Sequence, residues 1–143
     1  MKTLTFRRLC VLAFVALAFT RAWAAPALIG NKNIAGEKLD GATLKSVFLG
    51  KKVAWDGAGG RVVLAVLKGG DVADAFLKGA VDMTSSAFNN HWRRLAMTGG
   101  GTAPKSFDKE EDLRKFVAET PGAIGFVDSA SVDASVAVLT PTP

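Results

Sequence analysis

Residues 26–143 consist of short apolar segments separated by glycine and proline. In some segments the apolar residues have the spacing of a strand, and in others that of a helix. Residues 61–66 predict a strand buried on both faces, because a continuous apolar run follows Arg61, and residues 27–30, 123–127 and 136–139 predict three shorter strands. Apolar positions three and four apart predict helices over residues 40–48, 72–78, 84–97 and 108–118. Strands that alternate with helices predict an α/β domain with a mainly parallel sheet flanked by helices.

The last strong strand is entered through the sequence Glu-Thr-Pro-Gly-Ala-Ile-Gly-Phe-Val-Asp, residues 119–128. Pro121 and Gly122 predict a sharp turn, and Gly125 then interrupts the apolar run with a residue that has no side chain to pack. One interpretation is a tight connection between a helix and a strand. The other is that the backbone must approach another group closely at Gly125.

The first 25 residues differ in character from the rest of the chain. Basic residues precede an apolar run at positions 9–19, and Ala22, Trp23 and Ala24 supply a cleavage sequence, which together predict a secretory signal peptide. The apolar run is too short to cross a bilayer, and Cys10 leaves with the segment. We therefore expect a periplasmic protein that does not span the membrane, with one domain over residues 26–143.

Charge and cysteine content change once this segment is set aside. Lys2, Arg7, Arg8 and Arg21 account for most of the excess of 18 basic over 13 acidic residues, and their removal leaves 14 against 13. This near-neutral balance gives no indication of a nucleic-acid partner. Without cysteine the remaining chain has no disulfide and no thiolate site, so it must be held together by packing.

Few residues are suited to catalysis. His91 is the sole histidine, Ser129 and Ser131 lack the sequence context of an activated nucleophile, and no cofactor or metal site is predicted. Asp71 and Asp74 are spaced as residues that cap and solvate a helix start. Lys105 and Ser106 resemble the end of a nucleotide loop, but Pro104 stands where that loop needs glycine. We expect the protein not to be an enzyme.

Lys68, Gly69, Gly70 and Asp71 form the turn between the strongest strand and the next helix. A glycine pair there can direct its N–H groups at an anion, with help from the helix dipole and the Lys68 charge. This is the candidate ligand-binding site. The alternative is an ordinary turn in which the Asp71 carboxylate caps the helix and occupies those N–H groups.

The order of several short strings resembles the phosphate ABC transporter substrate-binding proteins, and in particular small exported members with little more than one lobe of the type 2 periplasmic-binding fold. The strings are Phe-Leu-Gly-Lys at 48–51, Trp-Asp-Gly at 55–57 and Thr-Pro-Gly-Ala-Ile-Gly-Phe-Val at 120–127. The resemblance implies a single-lobe α/β domain. It also implies a structural role for the turn at Pro121 and Gly122, with Gly125 allowing close packing of the backbone.

The resemblance implies a non-catalytic periplasmic protein that binds a small oxyanion such as phosphate. Full-length members carry an arginine and a hydroxyl-rich turn where this chain has residues 67–72, with Lys68 but no serine or threonine. They also close two lobes over their ligand. The alternative function is therefore an accessory module that has lost ligand binding and acts through a periplasmic or membrane protein partner.

Overall fold

The computed structural model describes residues 25–142; the predicted signal peptide, including Cys10, lies outside the described residues apart from Ala25. The strands are β1 (Pro26–Gly30), β2 (Val63–Leu67), β3 (Lys105–Phe107), β4 (Ala123–Asp128) and β5 (Ala137–Val138). The helices are α1 (Gly41–Phe48), α2 (Asp71–Val81), α3 (Ser85–Met97) and α4 (Glu110–Glu119), with short 3-10 turns at Lys32–Ile34 and Ser129–Ser131. The predicted α/β class is confirmed.

The five strands form one sheet in the order β3-β2-β4-β1-β5. β2 pairs in parallel with both β3 and β4, whereas β1 pairs antiparallel with β4 and β5. The prediction of a mainly parallel sheet is therefore wrong in detail, because the sheet is mixed. Buried apolar runs identify strands but not their direction, since β4 is equally buried between a parallel and an antiparallel neighbour.

Helices cover both faces of this sheet. On one face Phe126 of β4 stacks on Phe76 of α2 with ring centroids 4.3 Å apart, and Phe76 lies 5.1 Å from Phe48 of α1. On the other face α4 buries Leu113 and Val117 completely. A fully buried aromatic or aliphatic side chain contributes roughly 1.5–3 kcal/mol. The two layers of core on either side of β4 therefore hold the helices in place.

Two helix starts agree with the sequence and two do not. The Asp40 carboxylate accepts the N–H of Thr43 at 2.6 Å, and Thr84 caps α3 through the N–H of Ala87. For α2, Gly70 is the N-cap and Asp71 is the first helical residue, so the assignment of Asp71 as the cap is wrong. For α4 the helix begins at Glu110, two residues after the predicted start at residue 108. Runs of several acidic residues favour a helix start without fixing its exact position.

Two further details were not predicted. β3 is too short and polar to stand out as a strand, and it forms because its backbone pairs with β2, with Ala65 opposite Lys105. On α3, Phe88 and Trp92 are buried, whereas the apolar Ala96 is exposed.

Both glycines of the segment before and within β4 are explained by the fold. Gly122 has a φ of +78°, and a methyl group there would lie 2.1 Å from the carbonyl oxygen of Arg61. A methyl group at Gly125 would lie 2.8 Å from the carbonyl oxygen of Ala65 and 2.9 Å from Cδ2 of Leu113. The close approach is thus to the neighbouring strand and to α4, and both glycines serve packing.

Candidate functional site

The predicted turn at residues 68–71 lies at the carboxyl edge of the parallel strands. β2, β3 and β4 run in the same direction, so Leu67, Phe107 and Asp128 end at one edge of the sheet. After β2 the chain continues to β3, at one end of the strand order. After β4 it continues to β5, at the other end of the strand order. In α/β sheets a crevice forms where connections diverge in this way, and ligands bind there.

The start of α2 presents open backbone. Gly70 has a φ of +102°, which favours glycine, and no side chain caps the first turn of the helix. A methyl group at Gly69 or Gly70 would meet nothing within 4 Å. The adjoining cavity measures about 340 Å³ and is lined by Leu67, Gly69, Gly70, Asp71, Val72, Asp108 and Glu110. The first N–H groups of α2 therefore have no side-chain acceptor.

The charges around this cavity are mixed. The Lys68 ammonium lies 3.0 Å from the carboxylate of Asp108, and both side chains are more than half exposed. Asp71 and Glu110 contribute two further carboxylates, and that of Glu110 accepts the N–H of Asp128 and the hydroxyl of Ser131. Exposed ion pairs are weak, so Lys68 is able to exchange Asp108 for another anion. The carboxylates would oppose the entry of that anion.

The residues considered for catalysis are held in structural roles. His91 contacts the carbonyl oxygen of Leu49 at 2.9 Å through Nε2, and the neighbouring Trp92 donates to the carbonyl of Phe48 at 3.0 Å. Both bonds fasten α3 to the end of α1. The hydroxyl of Ser131 donates to Glu110, and the carboxylate of Asp74 accepts the hydroxyl of Ser85. Asp74 is thus engaged with α3.

Metal-ligating side chains do not cluster within residues 25–142: no three His, Asp or Glu residues there are arranged to hold a metal ion. Over the same residues, no helix has the length and apolar character needed to cross a membrane.

Two asparagines that the sequence did not single out organise the turn before β4. The side chain of Asn31 donates to the carbonyls of Val117 and Ala118 at 3.0 Å each, which ties β1 to the end of α4. The side-chain oxygen of Asn33 accepts the N–H of Gly122 at 3.1 Å. Asparagine after a strand is common in ordinary turns, so its spacing alone gave no signal.

Two solved structures of other proteins have a fold similar to that of this chain. An ABC-type phosphate transport receptor from Vibrio cholerae matches with a TM-score of 0.59 and 15% identity over 82% of this chain. A protein from Clostridium perfringens with bound phosphate, described as a phosphate ABC transporter substrate-binding protein, matches with a TM-score of 0.62 and 22% identity over 81% of this chain. This chain has the fold of one lobe of these proteins.

The match covers 48% of the Vibrio protein and 44% of the Clostridium protein, so the chain spans about half the length of either. No protein-family model and no curated protein matches the chain. At these identities the likeness shows the fold alone. The resemblance to phosphate ABC transporter substrate-binding proteins is therefore confirmed as a structural similarity to a single lobe.

Proposed function

We propose that this chain is a periplasmic, non-catalytic domain that binds a small oxyanion such as phosphate weakly at the start of α2. The supporting observation is that Gly70, and not Asp71, caps the helix, so that no side chain occupies the first N–H groups. Helix N-termini of this kind attract anions through their N–H groups and the helix dipole. Lys68 would add a charge-assisted contact once it leaves Asp108.

Several features limit the affinity of such a site. Asp71, Asp108 and Glu110 surround the cavity, so an incoming phosphate must approach carboxylates. The chain also corresponds to one lobe, whereas the Clostridium protein with bound phosphate is more than twice the length of the matched part. An open, one-sided site of this charge should bind phosphate with a dissociation constant in the millimolar range or higher.

Titration calorimetry of residues 26–143 with phosphate and with sulfate at low salt tests the proposal. Lys68→Ala should weaken binding because it removes a cation beside the cavity, and Asp71→Ser should strengthen it because a like charge is lost and a hydroxyl donor is gained. Lys78→Ala, at the far end of α2, is the matched control and should bind like the parent. No saturable heat for either the parent or the Asp71→Ser protein would end the oxyanion proposal.

The second candidate is an accessory module that has lost ligand binding and acts through a periplasmic or membrane protein partner. It is favoured by the Lys68–Asp108 ion pair, because Asp108 already neutralises the positive charge with which an oxyanion would pair. Under this alternative, calorimetry shows no binding heat with phosphate or sulfate. Asp108→Asn, which frees Lys68, still produces no oxyanion binding.

A further inference from the structure

A large groove lies at the opposite edge of the sheet from the start of α2. It encloses about 800 Å³ at the amino ends of β2 and β3, between the segments at residues 50–53, 61–64 and 99–105. A smaller cavity of about 210 Å³ adjoins it between α3 and β3, sharing Trp92, Ala103 and Pro104 as lining residues. The two form one continuous seam, here called the basic groove.

All the charged residues that line the basic groove are cationic. Lys52, Arg61 and Lys105 line the larger part and Arg93 lines the smaller part, with no aspartate or glutamate among the lining residues. Among residues 25–142 the ion pairs join Lys52 to Asp56, Lys68 to Asp108 and Arg114 to Asp133. Arg61, Arg93 and Lys105 are exposed and have no ionic partner in the described chain.

This concentration of charge is not a consequence of composition. Once residues 1–25 are set aside, basic and acidic residues are nearly equal in number. Acidic residues line the cavity at the carboxyl edge of the sheet, and basic residues line the groove at the amino edge. An opposite-sign partner at the groove would gain association rate and orientation from this separation.

Apolar side chains line the groove together with these cations. Val53 is 56% exposed, and Val62, Val63 and Phe116 are partly buried, so an occupant would cover hydrophobic surface as well as pair with charge. Trp92 is only 6% exposed and its N–H is already bonded to Phe48, so it offers no stacking platform for a nucleic-acid base. The surface therefore suits a polypeptide better than a nucleic acid.

We propose that the basic groove binds an extended, acidic segment of a partner protein, with apolar side chains between its carboxylates. β3 is an outer strand, and its second edge is unpaired within the described chain, which favours an extended segment over a helix. A second copy of this chain would offer the exposed Glu111 and Asp112 from helix α4 and not from an extended segment, and self-association is one of the outcomes of the test. The proposal is independent of oxyanion binding, which concerns the other edge of the sheet.

Fluorescence polarisation with a labelled peptide that alternates glutamate and valine tests this inference in residues 26–143. At about 0.15 M salt, where distant charges are screened, we expect saturable binding. The same peptide with glutamine in place of glutamate should bind at least about fivefold more weakly, since it loses its ionic contacts. Equal binding of the two peptides would overturn the proposal, as would the absence of saturation.

Paired variants localise the binding. The double variant Arg61→Gln, Lys105→Gln should bind the acidic peptide about fivefold to tenfold more weakly than the parent. Lys45→Gln with Lys78→Gln removes the same charge outside the groove and should change affinity less than about twofold. Circular dichroism establishes that both proteins are folded. Equal losses in the two proteins would show non-specific charge attraction and contradict a groove site.

Amide chemical shifts provide a second readout that needs no variant. Peptide addition should move the resonances of residues 61–64 and 99–106, and leave those of residues 69–73 unchanged. Phosphate should do the reverse if the oxyanion proposal holds, so the two proposals can fail separately. Tighter binding of polyphosphate than of the peptide, or self-association that involves the groove, would also overturn the assignment to a protein partner.

Discussion

The indole N–H of Trp55 donates a hydrogen bond of 3.0 Å to the carbonyl oxygen of Gly122, although the two residues are 67 positions apart. The same oxygen accepts the N–H of Val63 at 3.1 Å, and the N–H of Gly122 donates to Asn33. Through its N–H and its carbonyl oxygen, Gly122 therefore joins the loop before β2, the strand β2 and the 3-10 turn after β1. Two of the strings that carry the family resemblance, at residues 55–57 and 120–127, meet at this point.

Replacement of Trp55 by phenylalanine tests the value of the indole hydrogen bond. The smaller phenyl ring would keep most of the apolar contacts of the buried site, and the Gly122 carbonyl would keep its bond to Val63. We therefore expect a loss of about 0.5–1.5 kcal/mol in the free energy of unfolding, measured by urea titration. An unchanged free energy of unfolding would show that this hydrogen bond adds nothing to stability.

Gly122→Ala should be severely destabilising. The positive φ alone costs about 1–3 kcal/mol for a residue with a side chain, and the new methyl group would overlap the carbonyl oxygen of Arg61. Gly69→Ala is the control, because its φ is ordinary and its surroundings are open; it should change stability by less than about 1 kcal/mol. Similar melting temperatures for the two variants would contradict this account of the turn.

A second pair of glycine substitutions should give opposite signs. Gly125→Ala pushes a methyl group against the backbone oxygen of Ala65 and the side chain of Leu113, and should cost about 1–3 kcal/mol through overpacking. Gly79→Ala lies in the exposed interior of α2 with nothing within 4 Å, and should gain about 0.5–1 kcal/mol from helix propensity. Chemical denaturation of both proteins measures the difference.

The cap of α1 predicts a pH effect. The hydrogen bond from the N–H of Thr43 lowers the pKa of Asp40 below its ordinary value. A lowered pKa in the folded state means that the stabilisation is present above the unfolded value, about 4, and is lost as the pH falls through the folded value. Asp40→Asn still caps the helix but cannot titrate, so its stability should depend less on pH below about 4 than that of the parent. If the melting temperatures of the parent and of Asp40→Asn change with pH in the same way between pH 2 and pH 6, this prediction is wrong.

Much of the fold could be predicted from local signals. The apolar run that gives β2 and the capping residues Asp40 and Thr84 act within a few positions along the chain, so their effect is visible in the sequence. β3 was missed because its three residues depend on pairing with β2 for their conformation. The antiparallel placement of β1 was missed because strand direction is decided by contacts between residues nearly 100 positions apart.

The candidate site could be located from the sequence but not described. The glycine pair after a buried strand marked the turn at residues 68–71, yet the pairing of Lys68 with Asp108 joins residues 40 positions apart. The basic groove was not predicted at all. Its cations come from the loop between α1 and β2, from α3 and from the start of β3, so no single stretch of sequence is unusually basic.

The position of β4 in the sheet has a consequence for how the chain folds. β1 comes first in the sequence, but its neighbours are β4 and β5, which come from the last 21 residues of the chain. β1 therefore has no strand to pair with until residues 123–128 are present. A chain that ends at Gly122 would keep α1, α2 and α3 but lose the strand on which Phe76 stacks, and both β1 and β2 would expose long unpaired edges. Such a fragment is expected to aggregate or be degraded, because its unpaired strand edges can pair with those of other chains.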